Sequence, residues 1–277
     1  MLKKIREFTY RYSIVSSILI SILFVLLVNG AVLLFSLFPK SAPVQYAEEI
    51  FLMLCSVGLV LLLGNKSTFK SKGLLKGLIC GVVVIVFMIF SLSLFFINAS
   101  SDPKTSWAST GMIIFGVVQA ISIGVREECF FRGAIQNILG KKYAISVKGV
   151  WFTAFIGALF FALIHLLNIF AGYDPVVTIF QTLSAICSGF FFAAIYLRSN
   201  NIWASILIHA LVDAVALAGS FFLTQSRVEV VNTLSWESLL GTIVYILPAI
   251  FLLRPSKCKE IIAHFEAERK DALPSQL

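Results

Sequence analysis

Charge is what this chain has least of. Only 13% of its 277 residues are Asp, Glu, Lys or Arg, against 59% apolar. Soluble domains carry about 25% charged residues, and a soluble fold of this length could not hide so much apolar surface. A lipid solvent removes the contradiction, and the mean hydropathy of +0.95 agrees. Metal-ligand spacing is missing too. The five cysteines include no C-x-x-C pair, and Cys55, Cys80, Cys129 and Cys187 lie in or beside apolar runs, where cysteine is a small packing residue. There is no internal repeat, low-complexity segment or soluble domain, and the missing repeat counts against an alternating-access transporter. No small-x-small cleavage site follows the first apolar run, which is about twice the length of a signal-peptide core, so it reads as a retained helix. The net charge of +8 is no nucleic-acid footprint, because the basic residues form short clusters between apolar runs, as cytoplasmic loops do.

What the chain does have is eight apolar runs, at approximately 13–38, 47–64, 73–98, 108–131, 150–171, 176–198, 202–224 and 238–253. A span needs about 20 residues. The expected fold is therefore all-α, a polytopic bundle of about eight transmembrane helices over 13–253, with a cytoplasmic segment at 1–12 and a tail at 254–277. Lys3, Lys4, Arg6 and Arg11, then Lys66, Lys70 and Lys72, then Lys141, Lys142 and Lys148, then Arg198, then Arg254, Lys257 and Lys259 fall on one side of such a bundle. The other side has only Lys40, Lys104 and Arg227. The positive-inside rule puts both termini in the cytoplasm of a multi-pass cell-membrane protein. In the tail, Ile261, Ile262 and Phe265 share a face, which reads as a surface helix on the inner leaflet, with His264 solvated. Lys76 reads as a snorkelling side chain. Gln119, Gln181 and Asn168 read as helix–helix hydrogen-bonding groups.

A charged group within a span is a functional hypothesis by default. Such groups concentrate in three runs: Arg126-Glu127-Glu128-Cys129-Phe130-Phe131-Arg132, then Phe161 to His165, then His209 to Asp213. Glu128 and Arg132 are four apart and can form an ion pair on one helix face. Glu127 is turned about 100° from Glu128 and can point elsewhere. Phe161 and His165 share a face, as do His209 and Asp213. If the three faces converge, one pocket holds carboxylates and two imidazoles, an inventory suited to water activation and oxyanion stabilisation. Counting from the helix ends puts Glu127 near the inner surface and His165 past the midplane, so convergence demands tilted helices or a re-entrant segment near 126–149.

Together the three segments resemble the CPBP family of CAAX prenyl endopeptidases, bacteriocin-processing enzymes and Abi-type immunity proteins. Its pattern is E-E-x-x-x-R, then F-x-x-x-H, then H-x-x-x-N or H-x-x-x-D. The resemblance covers about 110–215 and implies intramembrane peptide-bond hydrolysis. By motif position, Glu127 and His165 activate the attacking water, and His209 and Asp213 line the pocket for the oxyanion. Glu128, Arg132 and Phe161 support the site. The implied partners are a peptide or lipid-linked protein tail and the lipid bilayer. The resemblance requires no cofactor. Many members are described as metalloproteases, and a zinc ion would draw on Glu127, His165, His209 and Asp213, but there is no H-E-x-x-H helix. The prenyl endopeptidases have Asn where this chain has Asp213. A protonated Asp can donate, an ionised one can orient His209, and a metal can sit there. Two rival functions remain: a catalytically silent immunity or scaffold protein, and a proton-coupled transporter.

Overall fold

The structure is a computed structural model describing residues 2–224 and 241–272. Among these residues there is no strand beyond an isolated bridge between Trp107 and Leu223. That is the outcome a lipid solvent imposes, since helices satisfy their backbone groups internally.

A short amphipathic helix, α1 (Leu2–Arg11), leads into α2 (Ser13–Phe35) and α3 (Ala42–Leu62). The third apolar run breaks at Gly81 into α4 (Leu74–Cys80) and α5 (Val82–Ser101). The fourth is α6 (Thr110–Glu128), continued by a π-helical segment (Cys129–Gln136) and α7 (Asn137–Tyr143). The fifth is α8 (Val147–Leu163) with a 3-10 extension (Ile164–Ala171), and the sixth is α9 (Pro175–Ser199). Next come α10 (Ile202–Ala216), α11 (Ala218–Phe222), α12 (Ile243–Leu252) and α13 (Pro255–Ala272). The loop expected at 225–237, with Arg227, and the start of the eighth run lie outside the described residues.

The all-α membrane bundle is as expected, and the count of eight is approximate. Five helices are long and apolar enough to cross a bilayer: Ser13–Phe35, Ala42–Leu62, Val82–Ser101, Val147–Ala171 and Pro175–Ser199. Helix α6 carries three charged residues in its last turn, while α10 and the described part of the eighth run are short.

Small residues set how closely the site helices approach. A Cβ on Gly124 of α6 would lie 2.9 Å from the Ile206 carbonyl oxygen of α10, and one on Gly189 of α9 would lie 2.9 Å from the Phe161 ring of α8. Backbones meeting this closely are how helices associate in lipid, where no hydrophobic drive exists between them.

The helical run of α6 does not stop near residue 131. It continues to Tyr143, and every residue from Cys129 to Gly140 is buried. Glu127 therefore lies about 24 Å from the end of its helical run, and His165 about 27 Å from the start of α8, at 1.5 Å per residue. The depth mismatch expected from the apolar runs disappears once the helix is seen to outlast them.

The tail helix α13 packs its apolar face on the bundle. Cys258, Ile261 and Phe265 are buried in the main core beside Ala144, Val150 and Leu253, with Phe265 over Gly140. His264 is half-buried next to Glu268, at 3.5 Å, rather than solvated, and burial holds its imidazole below the ordinary range. Lys76 does not merely snorkel, because it pairs with Glu260 at 3.2 Å.

Candidate active site

The three polar segments meet. Glu128 sits at the end of α6, and the first turn of the π-helical segment swings Arg132 back beneath it. The Arg132 Nη1 to Glu128 Oε1 distance is 3.0 Å, and both side chains are buried. Arg132 also donates from Nη2 to the Gly189 carbonyl of α9, at 3.1 Å, and its guanidinium lies over the rings of Phe161 and Phe192 at 4.6 and 5.3 Å. A guanidinium taken out of water needs such a set of partners.

Glu128 has a second partner that the i, i+4 spacing did not announce. Its Oε1 accepts from His209 Nδ1 of α10 at 2.8 Å. A carboxylate can only accept, so Nδ1 carries the proton and the ring orientation is fixed. The ring's other nitrogen, Nε2, then faces two further carboxylates, Glu127 Oε2 at 3.6 Å and Asp213 Oδ2 at 3.8 Å. Phe192 stacks flat on His209, with centroids 4.7 Å apart and planes at 16°. Glu127, Glu128, Arg132, His209 and Asp213 thus form one cluster.

His165 stands beside this cluster, not in it. Among the described residues no hydrogen bond or ion pair joins it to Glu127. Its Nδ1 bonds the Phe161 carbonyl at 3.0 Å. A carbonyl only accepts, so Nδ1 is the donor and Nε2 of the neutral ring is left as an acceptor. Phe161 links the two imidazoles: its ring lies 5.0 Å from that of His165 and 5.9 Å from that of His209. The same ring packs edge-on to Phe131 at 5.3 Å. The phenylalanine of the F-x-x-x-H segment is a hub, touching the arginine of one segment and the histidines of the other two.

Residues 106–215 match the family model of type II CAAX prenyl endopeptidase, Rce1-like. This match supports a CPBP-type intramembrane protease domain within the chain. The matched segment begins just before α6 and ends within α10, so it contains every residue of the cluster. Comparisons with curated proteins and with solved structures gave no match.

Sequence reasoning missed one charged residue inside the bundle that holds the matched segment. Glu49 of α3 is buried and pairs with Arg126, Nη1 to Oε2, at 3.2 Å. Gln119 donates to its Oε1 at 3.4 Å, and the Ser122 hydroxyl donates to its backbone carbonyl at 3.3 Å. The apolar run of α3 was read as starting at residue 47, which made Glu48 and Glu49 look like a boundary. The helix starts at Ala42, and the acids are within it. Gln119 is the helix–helix group expected, and Gln181 bonds Asn168 at 3.0 Å as the other two.

The four side chains that zinc would draw on do not fit it here. Both imidazoles donate from Nδ1, His209 to Glu128 and His165 to the Phe161 carbonyl, which leaves Nε2 of each as the atom a metal would use. Among the described residues no group of three or more His, Cys, Asp or Glu is arranged to hold a metal ion. Tetrahedral zinc requires ligands converging within about 2.0–2.3 Å of one point.

Proposed function

We propose that this CPBP-domain protein is an intramembrane endopeptidase that works without a metal, on a membrane-associated peptide or a lipid-linked protein tail. The observation carrying the proposal is the division of labour around His209: one ring nitrogen is fixed by Glu128, and the other faces Glu127 and Asp213. Glu127 takes a proton from a water held between its carboxylate and His165 Nε2. The hydroxide attacks the scissile carbonyl, and Glu127 returns the proton to the leaving amine. His209, as imidazolium, donates Nδ1–H to Glu128 and Nε2–H to the oxyanion. Asp213 holds that imidazolium from the open side. Arg132 holds Glu128, and Phe161 keeps the imidazoles apart, so that one serves the water and the other the oxyanion.

The test is cleavage of a peptide library by the full chain in detergent after exhaustive chelation. Glu127→Gln is expected to cut the rate by about 10²–10⁴ with the melting temperature nearly unchanged. Wild-type cleavage in Glu127→Gln would remove Glu127 as the base. Activity lost on chelation and restored by zinc would overturn the metal-free route, and no cleavage of any peptide would favour a silent immunity or scaffold role.

We also propose that both termini face the cytoplasm, from the one-sided distribution of Lys and Arg. Single-cysteine labelling near 66–72 and 141–148 should report the inside, and labelling near 102–104 the outside. Both sets reacting from the same face would refute this topology.

A further inference from the structure

On the far side of α8 from the site, α8, α9 and α12 leave a groove of about 410 Å³ lined by Trp151, Phe152, Phe155, Phe190, Ile246 and Ile250 among others. It presents hydrocarbon and aromatic faces. The polar atom Trp151 might have offered is already used, because Nε1 donates to the Leu253 carbonyl at 2.9 Å. Helix α8 with its 3-10 extension and helix α9 are long and apolar enough to cross a bilayer, and Phe152, Phe155 and Ile250 are among the exposed apolar residues, so the groove opens toward lipid.

The Trp151–Leu253 bond also fixes what stands at the groove's mouth. It ties the beginning of α8 to the end of α12. Lys148 precedes Trp151 by three residues and Phe152 by four, on the same helix face. Arg254 follows Leu253 directly. Lys148 is exposed and forms no hydrogen bond or ion pair among the described residues. Among the described residues Arg254 bonds only the carbonyl of Phe251, at 2.7 Å, with its guanidinium over the Phe251 ring at 4.0 Å, and has no acidic partner. Of the other cations near this end, Arg198, Lys76 and Lys257 all pair with Glu260.

Two cations without acids, above an apolar groove between helices, match an amphiphile with a negative head and a hydrocarbon tail. We propose that this groove is a binding site for an anionic phospholipid, with one acyl chain along Phe152, Phe155 and Ile250 and its phosphate between Lys148 and Arg254. Trp151 sits at the level between chain and head, where tryptophan is enriched in membrane proteins. The site is separate from the Glu127 cluster, and its test does not depend on cleavage.

The experiment is native mass spectrometry of the full chain released from nanodiscs holding equal phosphatidylglycerol and phosphatidylcholine. The wild type should retain phosphatidylglycerol preferentially. Near a membrane surface each cation favours anionic lipid by roughly fivefold, so Lys148→Ala with Arg254→Ala should weaken the preference by about 30-fold. Ile250→Trp fills the groove and should reduce retention of both lipids at an unchanged melting temperature. If the double variant does not fold, Lys148→Gln alone, at an exposed and unpartnered position, should lose about fivefold. No lipid preference in the wild type, full preference in the head-group variants, or full retention in Ile250→Trp would overturn the proposal. Displacement of phosphatidylglycerol by a farnesylated peptide would assign the groove to a substrate chain and overturn it as well.

Discussion

Two of the polar clusters buried in this bundle are built on opposite principles. In the first, Asn65, Thr68, Asn137 and Tyr196 close a hydrogen-bond network around the π-helical segment. Asn137 donates to the Tyr196 hydroxyl at 2.6 Å and to the Gly133 carbonyl at 3.0 Å, and Asn65 donates to the same carbonyl at 2.9 Å. Lys141 donates to Asn65 at 2.6 Å, and Thr68 to Tyr196 at 2.8 Å. None of these four residues has a buried side-chain N or O left without a partner. In the second, around His209, Glu128 Oε2 and Asp213 Oδ2 are buried and make no hydrogen bond. A π-helical turn leaves carbonyls that a regular helix would use, and the first cluster exists to take them up. The second keeps unused hydrogen-bonding capacity, which in a native structure calls for a functional reason. The difference separates the polar groups that hold the fold from those held ready for something else.

The sharpest way to break that contrast is at Glu128, the residue in the second cluster that also braces the fold. Glu128→Ala leaves Arg132 buried without its carboxylate and frees His209. Breaking a buried pair from one side costs about 3–5 kcal/mol, so the variant should unfold far more readily than the wild type in a detergent melt and should lose cleavage. Glu127→Gln should lose cleavage alone. If the two variants are equally stable, the Glu128 contacts do not carry the load described here.

Next in size is Tyr196→Phe. It removes the hydroxyl that Thr68 and Asn137 share and leaves buried donors unpaired, at about 1–3 kcal/mol. The melting temperature should fall, while the pH profile of cleavage keeps its shape. A shifted pH profile would mean that the first cluster tunes the site chemistry as well as the fold.

The first cluster was invisible in the sequence, and the reason is physical. Asn65, Thr68 and Asn137 lie in or beside connecting segments, where polar residues are ordinary, and nothing in their spacing marks the π-helical segment that gathers them. The second cluster was largely legible, because a charge in a span stands out against hydrocarbon: Glu127, Glu128, Arg132, His209 and Asp213 were found that way. The i, i+4 spacing announced the Glu128–Arg132 pair, but no local pattern links Glu128 to His209, which is 81 positions on. Helix ends were also misjudged where apolar runs and helices differ in length. That error hid Glu49 at one end and placed Glu127 too near the surface at the other.

A smaller effect should come from Asp213→Asn. The amide keeps the shape and turns one carboxylate oxygen into a donor, so stability should change by less than about 1.5 kcal/mol. Cleavage should persist, and its pH dependence should lose a step, since an amide does not titrate. Loss of all cleavage with intact folding would show that Asp213 acts through its negative charge.

The smallest effect belongs outside the membrane, at Glu260 of α13. Its carboxylate accepts from Arg198 at 3.0 Å, from Lys257 at 3.1 Å and from Lys76 at 3.2 Å. These bonds, Arg198 first, pull its pKa down from 4.5 to about 2. A carboxylate whose folded value is depressed contributes stability above its unfolded value and loses it as pH falls through the folded one. The Glu260 contribution is therefore complete above about pH 4.5 and gone near pH 2. Its side chain is 47% exposed, so solvent screening limits the effect to about 1 kcal/mol or less. Glu260→Gln should lower the melting temperature at pH 7 by about 2–4 °C at most, and the gap from the wild type should close as the pH approaches 2. A gap of the same size at both pH values would mean that Gln disturbs the docking of α13 by its shape, and that the three cations do not act through the charge of Glu260.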